Sequence, residues 1–407
     1  MAASELSHLI VLMIDGLSAP YLGPYGNRWI PTPAWDELAA ESLLVEFFLA
    51  DSDDLDTLYG SYFSGRHSAA DSVDRLPELP ARLASAGYRT RMLSDDEGVC
   101  RLGEAAGFER VEDWSAVWAD RHDSADRWEG TGFGLLSGSI AQVLSELAEP
   151  TLLWIHLGGM LRAWDAPYAW RERFAAEDDP APPTFILPPE SLADSHVDPD
   201  ELLGISQAYA AQVMVLDASL GHWLDTARDQ PWWDASRWIV CGVRGYALGL
   251  HGATGPSSGP LGSERLHVPC LVRRPRGIGR LERCRALHQP SDLAATLCES
   301  AAPFAAHAWS TSIGHEDEAR RLDRAVALSG DVAVLRTPAW LARFDRADRF
   351  ELFAKPDDRW EINEVSDRRP ELRSIAEAAR EEFLAAARSG RGAELPPLAG
   401  PLCDLGE

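Results

Sequence analysis

Very short, almost wholly apolar runs alternate with amphipathic stretches along this chain, and that alternation limits its fold more than any other feature. Residues 8–14 (His-Leu-Ile-Val-Leu-Met-Ile) are apolar nearly throughout and stop at Asp15. Such a run fits a strand buried on both faces and is far short of the ~20 residues that span a bilayer. Residues 32–41 read as a helix with Thr32 as N-cap and proline in its first turn, and residues 43–50 return to strand. Residues 79–87 read as a helix closed by glycine, followed by a strand over 88–93. The pattern repeats as helix 140–148, strand 151–156, a long amphipathic helix 201–228 and a buried strand 238–242. Strands separated by helices imply an α/β fold, a mostly parallel sheet sandwiched by helices.

Residues 172–199 are rich in Asp, Glu and Pro and read as a surface insertion. Beyond residue 305 the texture changes. Short alternating runs at 325–328, 332–337 and 350–353 predict a small antiparallel sheet, and 370–388 a closing helix. The expected division is therefore an α/β domain over 1–305 and a C-terminal subdomain over 306–407.

Composition narrows the class of partner. With 45% hydrophobic residues in 407, the chain can build a large core. Its 64 acidic against 38 basic residues leave a net charge of −26, which repels phosphate backbones and argues against nucleic acid. Six scattered cysteines show no zinc spacing and are expected to be reduced thiols. The N-terminus shows no basic region with a small-residue cleavage site, so the expected location is cytoplasmic, without membrane attachment.

Five segments in chain order carry a family likeness. They are Asp15-Gly16 at the end of the first strand with Tyr25-Gly-Asn27 and Thr32-Pro33; Ser64-Gly-Arg66 followed by 76–83 and Ala86-Gly-Tyr-Arg-Thr90; and 209–217 with Leu220-Gly221. The last two are Gly245-Tyr-Ala-Leu-Gly-Leu-His-Gly252 with Val268-Pro269 and 292–297, and 350–357 with Glu361-Ile-Asn-Glu-Val365. Together they resemble the sulfatase branch of the alkaline-phosphatase superfamily over nearly the whole chain. The resemblance implies that family's α/β fold, a divalent cation held by Asp and Asn oxygens, and a formylglycine nucleophile made from Cys or Ser. It also implies Lys, Arg and His side chains that neutralise sulfate and protonate the leaving group.

Residue by residue, the chemistry departs from that pattern. Asp15 falls where the family places its first metal ligands, but the next residue is Gly16 where sulfatases carry a second Asp. Asp15 is thus a residual metal candidate or simply the cap of a turn. Counting back from Gly65 puts Leu55 at the nucleophile and Tyr59 at the arginine position, and neither supplies that chemistry. The second metal pair becomes Val243-Arg244, an aliphatic chain and a permanent cation. The family's Lys and His after the third strand correspond to Ser94-Asp-Asp-Glu97, and Asp165 takes the place of another His. The acidic group Asp51, Asp53, Asp54 and Asp56 reads as a solvated loop with a helix N-cap rather than a relocated metal site.

Two functional readings follow. In the first, the chain is a sulfatase-like protein without metal-dependent sulfuric-ester hydrolysis, serving a binding or regulatory role. Its vestigial pocket is Leu55, Tyr59, Asp165, Val243 and Arg244; Arg244 either pairs with Asp15, with Asp165 as a further possible partner, or points to solvent and leaves Asp15 hydrated; no cofactor is expected. In the second, it is an active sulfate- or phosphate-ester hydrolase with a relocated site of Thr57, Asp15 and His251 and one divalent cation, calcium or magnesium. The ligand classes left open are a sulfated or phosphorylated small molecule or sugar, and a protein. Trp164, Trp232 and Trp233 read either as stacking platforms or as core.

Overall fold

Strand β1 (Leu9–Ile14) is buried along its whole length, and its side chains feed two separate cores. Leu9, Val11 and Met13 join one apolar cluster while Ile10, Leu12 and Ile14 join the other, so the run is apolar because both faces are covered. The computed structural model describes residues 6–71, 78–119, 121–189, 198–257, 259–299, 309–314, 323–345, 349–389 and 393–404. The expected 305/306 boundary, residues 76–77 and residues 190–197 of the acidic insertion lie outside the described residues.

The remaining strands are β2 (Leu43–Leu49), β3 (Arg89–Ser94), β4 (Arg110–Asp113), β5 (Thr151–Leu157), β6 (Arg237–Gly242), β7 (Ala247–Leu248), β8 (Thr254–Gly255), β9 (His267–Val268), β10 (Cys270–Arg273) and β11 (Glu282–His288). The large sheet runs β11-β2-β10-β6-β1-β5-β3-β4, with β9 paired to β2. Pairs β1–β5, β1–β6, β3–β5, β3–β4 and β2–β11 are parallel, whereas β9 and β10 run antiparallel to their neighbours. Strands β7 and β8 form a separate hairpin. The C-terminal sheet is an antiparallel meander of β12 (Ala325–Ser329), β13 (Val332–Arg336), β14 (Trp340–Phe344) and β15 (Phe350–Ala354). The mostly parallel sheet and the small antiparallel one are those the sequence predicts. The alternation had not marked β14, because all five of its residues are buried and no polar face remains to read.

Helices cover both faces of the large sheet. They are α1 (Pro33–Ala40), α2 (Leu55–Ser64), α3 (Leu79–Ser85), α4 (Glu97–Ala106), α5 (Gly132–Ser145), α6 (Tyr168–Glu172), α7 (Pro199–Arg228), α8 (Ser263–Leu266) and α9 (Pro290–Cys298), while α10 (Glu371–Arg388) lays Arg373 and Arg380 over Phe350 and Phe344 of the C-terminal sheet. Helix α5 starts at Gly132, well before residue 140, with Thr131 accepting from the Gly134 N–H. Its glycines hide the helical signal, since each disfavours a helix in isolation. Thr32 does not cap α1. Its Oγ1 accepts instead from the Gly23 N–H at 2.8 Å, and Asp217 of α7 takes the Trp35 N–H at 3.1 Å. No helix among the described residues is long and apolar enough to cross a membrane.

Candidate functional site

Parallel strands of an open α/β sheet present their carboxyl ends on one edge, where such folds gather their ligands. Here that edge joins Asp15 after β1, Asp95 and Asp96 after β3, His156 near the end of β5, and Val243-Arg244 after β6. Register fixes the grouping, since Ile14 pairs with Leu157 on one side and Gly242 on the other. The turn is closed by the Val243 N–H bound to the Ile14 carbonyl and the Gly16 N–H bound to the Arg244 carbonyl, both at 2.9 Å. Gly16 itself has φ +82°, and a Cβ there would lie 2.8 Å from Leu161. A second aspartate at position 16 would be strained on both counts.

Arg244 and Asp15 form the pair expected from the sequence. Nε lies 3.0 Å from Oδ1 and Nη2 3.1 Å from Oδ2, while Nη1 donates to the Asp53 carbonyl at 2.7 Å. Asp15 is buried and the Arg244 side chain is 12% exposed. Burial opposes the guanidinium charge, but Asp15, together with Asp53 and Asp54, outweighs it and the Arg244 pKa is raised. Val243 is fully buried in an apolar cluster and offers no oxygen.

Asp165 is not part of this pair, contrary to the possible extension read from the sequence. Its buried carboxylate accepts from Arg121 Nη1 at 2.6 Å and from the Gly132 N–H at 2.8 Å, at the start of α5. A free helix N-terminus with a nearby guanidinium claims it. The acidic loop also departs from expectation. Asp54 does cap α2 through the Thr57 N–H, but Asp51 and Asp53 are buried rather than solvated. Asp51 accepts from the Ser68 N–H, and Asp53 holds Arg265 and the Ser329 hydroxyl.

Leu55 is the first residue of α2 and packs its half-buried side chain on the core. Thr57 lies two residues on, half-buried, in the same first turn. His251 sits at the tip of the β7–β8 hairpin. No hydrogen bond or ion pair among the described residues joins Thr57 or His251 to Asp15. Trp164 is core: its Nε1 donates to the Met160 carbonyl, and its ring meets Tyr209 and Tyr246 edge-on. Trp233 is buried as well, against Trp238.

One pairing escaped the sequence reading, which placed Tyr59 in the pocket without its partner His156. Tyr59 Oη lies 2.7 Å from His156 Nδ1, with Trp154 Nε1 at 3.5 Å from the same oxygen. Burial raises the Tyr59 pKa well above its ordinary value and lowers His156 to about 4. The phenol therefore keeps its proton and donates it to Nδ1, so the neutral imidazole carries its hydrogen on Nε2, a buried atom with no hydrogen-bond partner among the described residues. Asp95 does not reach it. That carboxyl accepts from the Gly158 N–H and Trp118 Nε1, and burial raises its pKa to about 6. Asp96 caps α4 and pairs with Arg162 at 2.6 Å. The signal for His156 was its place at the end of a buried strand beside β1. Among the described residues no group of three or more His, Cys, Asp or Glu is gathered in a metal-binding cluster.

A family model for sulfatases matches residues 7–302. No curated protein matches the sequence. Among solved structures, a phosphonate monoester hydrolase of Agrobacterium radiobacter is similar at 15% identity and TM-score 0.72, covering 93% of this chain and 95% of that one. The 2-O GAG sulfatase BT1596 is similar at 14% identity and TM-score 0.73, covering 94% and 93%. BT4656, solved with D-glucosamine-2-N,6-O-disulfate as its substrate, follows at 15% identity and TM-score 0.71, covering 93% and 98%. These identities speak to the fold alone. With the family model spanning well over half of its length, this chain belongs to the sulfatase family.

Proposed function

We propose that this sulfatase-family chain does not hydrolyse sulfuric esters through a metal and a formylglycine, and that it acts by binding, as a recognition or regulatory protein. The observation that carries this reading is the Arg244 guanidinium on both oxygens of Asp15. A resident calcium or magnesium would need those oxygens and further hard donors beside them. Val243 supplies none, Gly16 replaces the second aspartate, and a permanent cation stands at the spot. The residues present do not fit the ion. The formylglycine precursor position is Leu55, which has no oxidisable group.

The competing reading, an ester hydrolase built on Thr57, Asp15 and His251, has no observation in its favour. Asp15 is engaged by Arg244, and the other two residues make no contact with it among the described hydrogen bonds. Six unbridged cysteines, five of them buried, fit a reducing compartment, and we place the protein in the cytoplasm on that ground.

The test is turnover and metal content of the purified chain. Aryl sulfate, aryl phosphate and phosphonate monoester should all remain uncleaved with and without calcium, magnesium, manganese or zinc, and the protein should carry no stoichiometric metal. Metal-stimulated turnover that disappears in Asp15→Asn or Thr57→Ala would defeat the proposal.

A further inference from the structure

Away from Asp15, a cavity of about 390 Å³ opens between the loop after β1, strand β2 and the C-terminal sheet. That volume suits a small-molecule ligand. Four cations line it (Arg283, Arg336, Lys355 and Arg359) against one carboxylate, Glu46, in a chain whose overall charge is −26. Two of the cations are already balanced. Arg283 lies 3.6 Å from Glu46, and Lys355 is held by Glu361 and by the carbonyls of Asp358 and Arg359.

The other two are not balanced. Arg336, at the end of β13, is only 5% exposed, and the sole hydrogen bond of its side chain among the described residues is to the Trp340 carbonyl at 3.4 Å. Its guanidinium lies 5.3 Å from the centre of the Phe47 ring, another wall of the cavity. Arg359 donates to the Tyr25 carbonyl at 3.1 Å, and neither arginine has a carboxylate within ion-pairing distance among the described residues. Burial lowers the Arg336 pKa to about 10, only partly offset by the Glu361 carboxylate that Lys355 already holds. A buried guanidinium left in that condition is costly unless an anion arrives to offset it.

We propose that this cavity is a binding site for a small phosphate monoester or phosphonate, whose dianionic head neutralises Arg336 and Arg359 while its organic body lies against Tyr25, Phe47 and His267. Two unbalanced cations favour a dianion over the single charge of a sulfate monoester. Arginine is also suited to phosphoryl oxygens because its fork of donors matches them. The ring faces are preorganised: His267 meets Tyr25 edge-on at 6.0 Å and Phe47 at 5.8 Å, and its Nε2 is fixed on the Glu46 carbonyl. The site stands whether or not the chain hydrolyses esters at Asp15.

The experiment is calorimetric titration of the full chain with phenylphosphonate and benzenesulfonate, two ligands with one body and different charge. It is run near pH 8, above the second ionisation of the phosphonate, which lies somewhat higher than the ~6 of a phosphate monoester. Phenylphosphonate should bind one per chain and benzenesulfonate about tenfold more weakly or worse, with affinity falling as salt rises. Arg336→Gln should weaken phenylphosphonate about tenfold to a hundredfold. Should that variant not fold, Arg359→Gln, at a half-buried position, carries the same expectation. The proposal is overturned by absence of saturable binding, by equal affinity for the two ligands, by unchanged affinity in a folded Arg336→Gln or Arg359→Gln, or by a complex structure with phosphorus beside Arg244. Phenylphosphonate has no ester to cleave, so a finding of turnover bears on the loss of hydrolysis and not on this site.

Discussion

Arg244 meets Asp15 side-on from the neighbouring parallel strand, and the same guanidinium reaches the carbonyl of Asp53 beyond β2. One side chain thus ties together the carboxyl ends of three segments of the fold. A bidentate pair of this kind satisfies a buried carboxylate that would otherwise need a cation of another sort.

Breaking the pair from one side leaves a buried charge. Arg244→Met alone should therefore destabilise the protein by about 3–5 kcal/mol in urea denaturation. Adding Asp15→Asn to it should recover much of the loss, because both charges are then gone. A double variant as unstable as the two single losses combined would mean that the pair does not act as a unit.

Metal dependence can be engineered as a contrast. The unaltered chain should show the same melting temperature with chelator and with excess calcium. Val243→Asp combined with Arg244→Asn restores oxygen donors beside Asp15, and this variant should gain a melting temperature that climbs with the logarithm of calcium concentration. A calcium-dependent shift in the unaltered protein would contradict the assignment of Arg244 as the resident cation.

His156 gives a pH signature. Its folded pKa of about 4 lies below the ordinary 6.5, so the unfolded chain binds the proton first as pH falls. The neutral ring's contribution is complete above 6.5 and is lost between 6.5 and about 4, by roughly 3 kcal/mol in all. The imidazole resonances in an NMR titration should stay neutral until near the lower value. His156→Gln should flatten that part of the stability profile.

Asp217 acts across the fold as the cap of α1, accepting the Trp35 N–H at 3.1 Å. Asp217→Ala should cost about 1–2 kcal/mol, the usual loss for an N-cap. Burial raises its pKa from 3.8 to about 7, so its contribution is complete below 3.8 and declines as pH rises through 7. Asp217→Asn keeps an acceptor and removes the charge; relative to the parent it should gain stability as pH is raised through that window, read by denaturation at each pH.

Much of the architecture was legible in the chain. The apolar run ending at Asp15 announced a central strand because covering both faces leaves no room for polar side chains, and the helices between strands forced parallel pairing. Hidden elements were those whose local signal is weak. Helix α5 opens on glycines, and β14 is buried on every residue, so neither shows a period.

The site divides in the same way. Leu55 and Val243 lack the atoms for nucleophile or ligand whatever surrounds them, and the positive charge of Arg244 is a property of the residue itself. Partner choice was decided only in three dimensions. Asp165 went to Arg121 and the start of α5, His156 to Tyr59, and the cap of α1 passed from Thr32 to Asp217, 182 residues from the Trp35 N–H it accepts. Sequence dictates which groups exist and which strands they end; a buried donor or acceptor must then take whichever partner the packed chain brings within about 3 Å, and that depends on contacts no local pattern encodes.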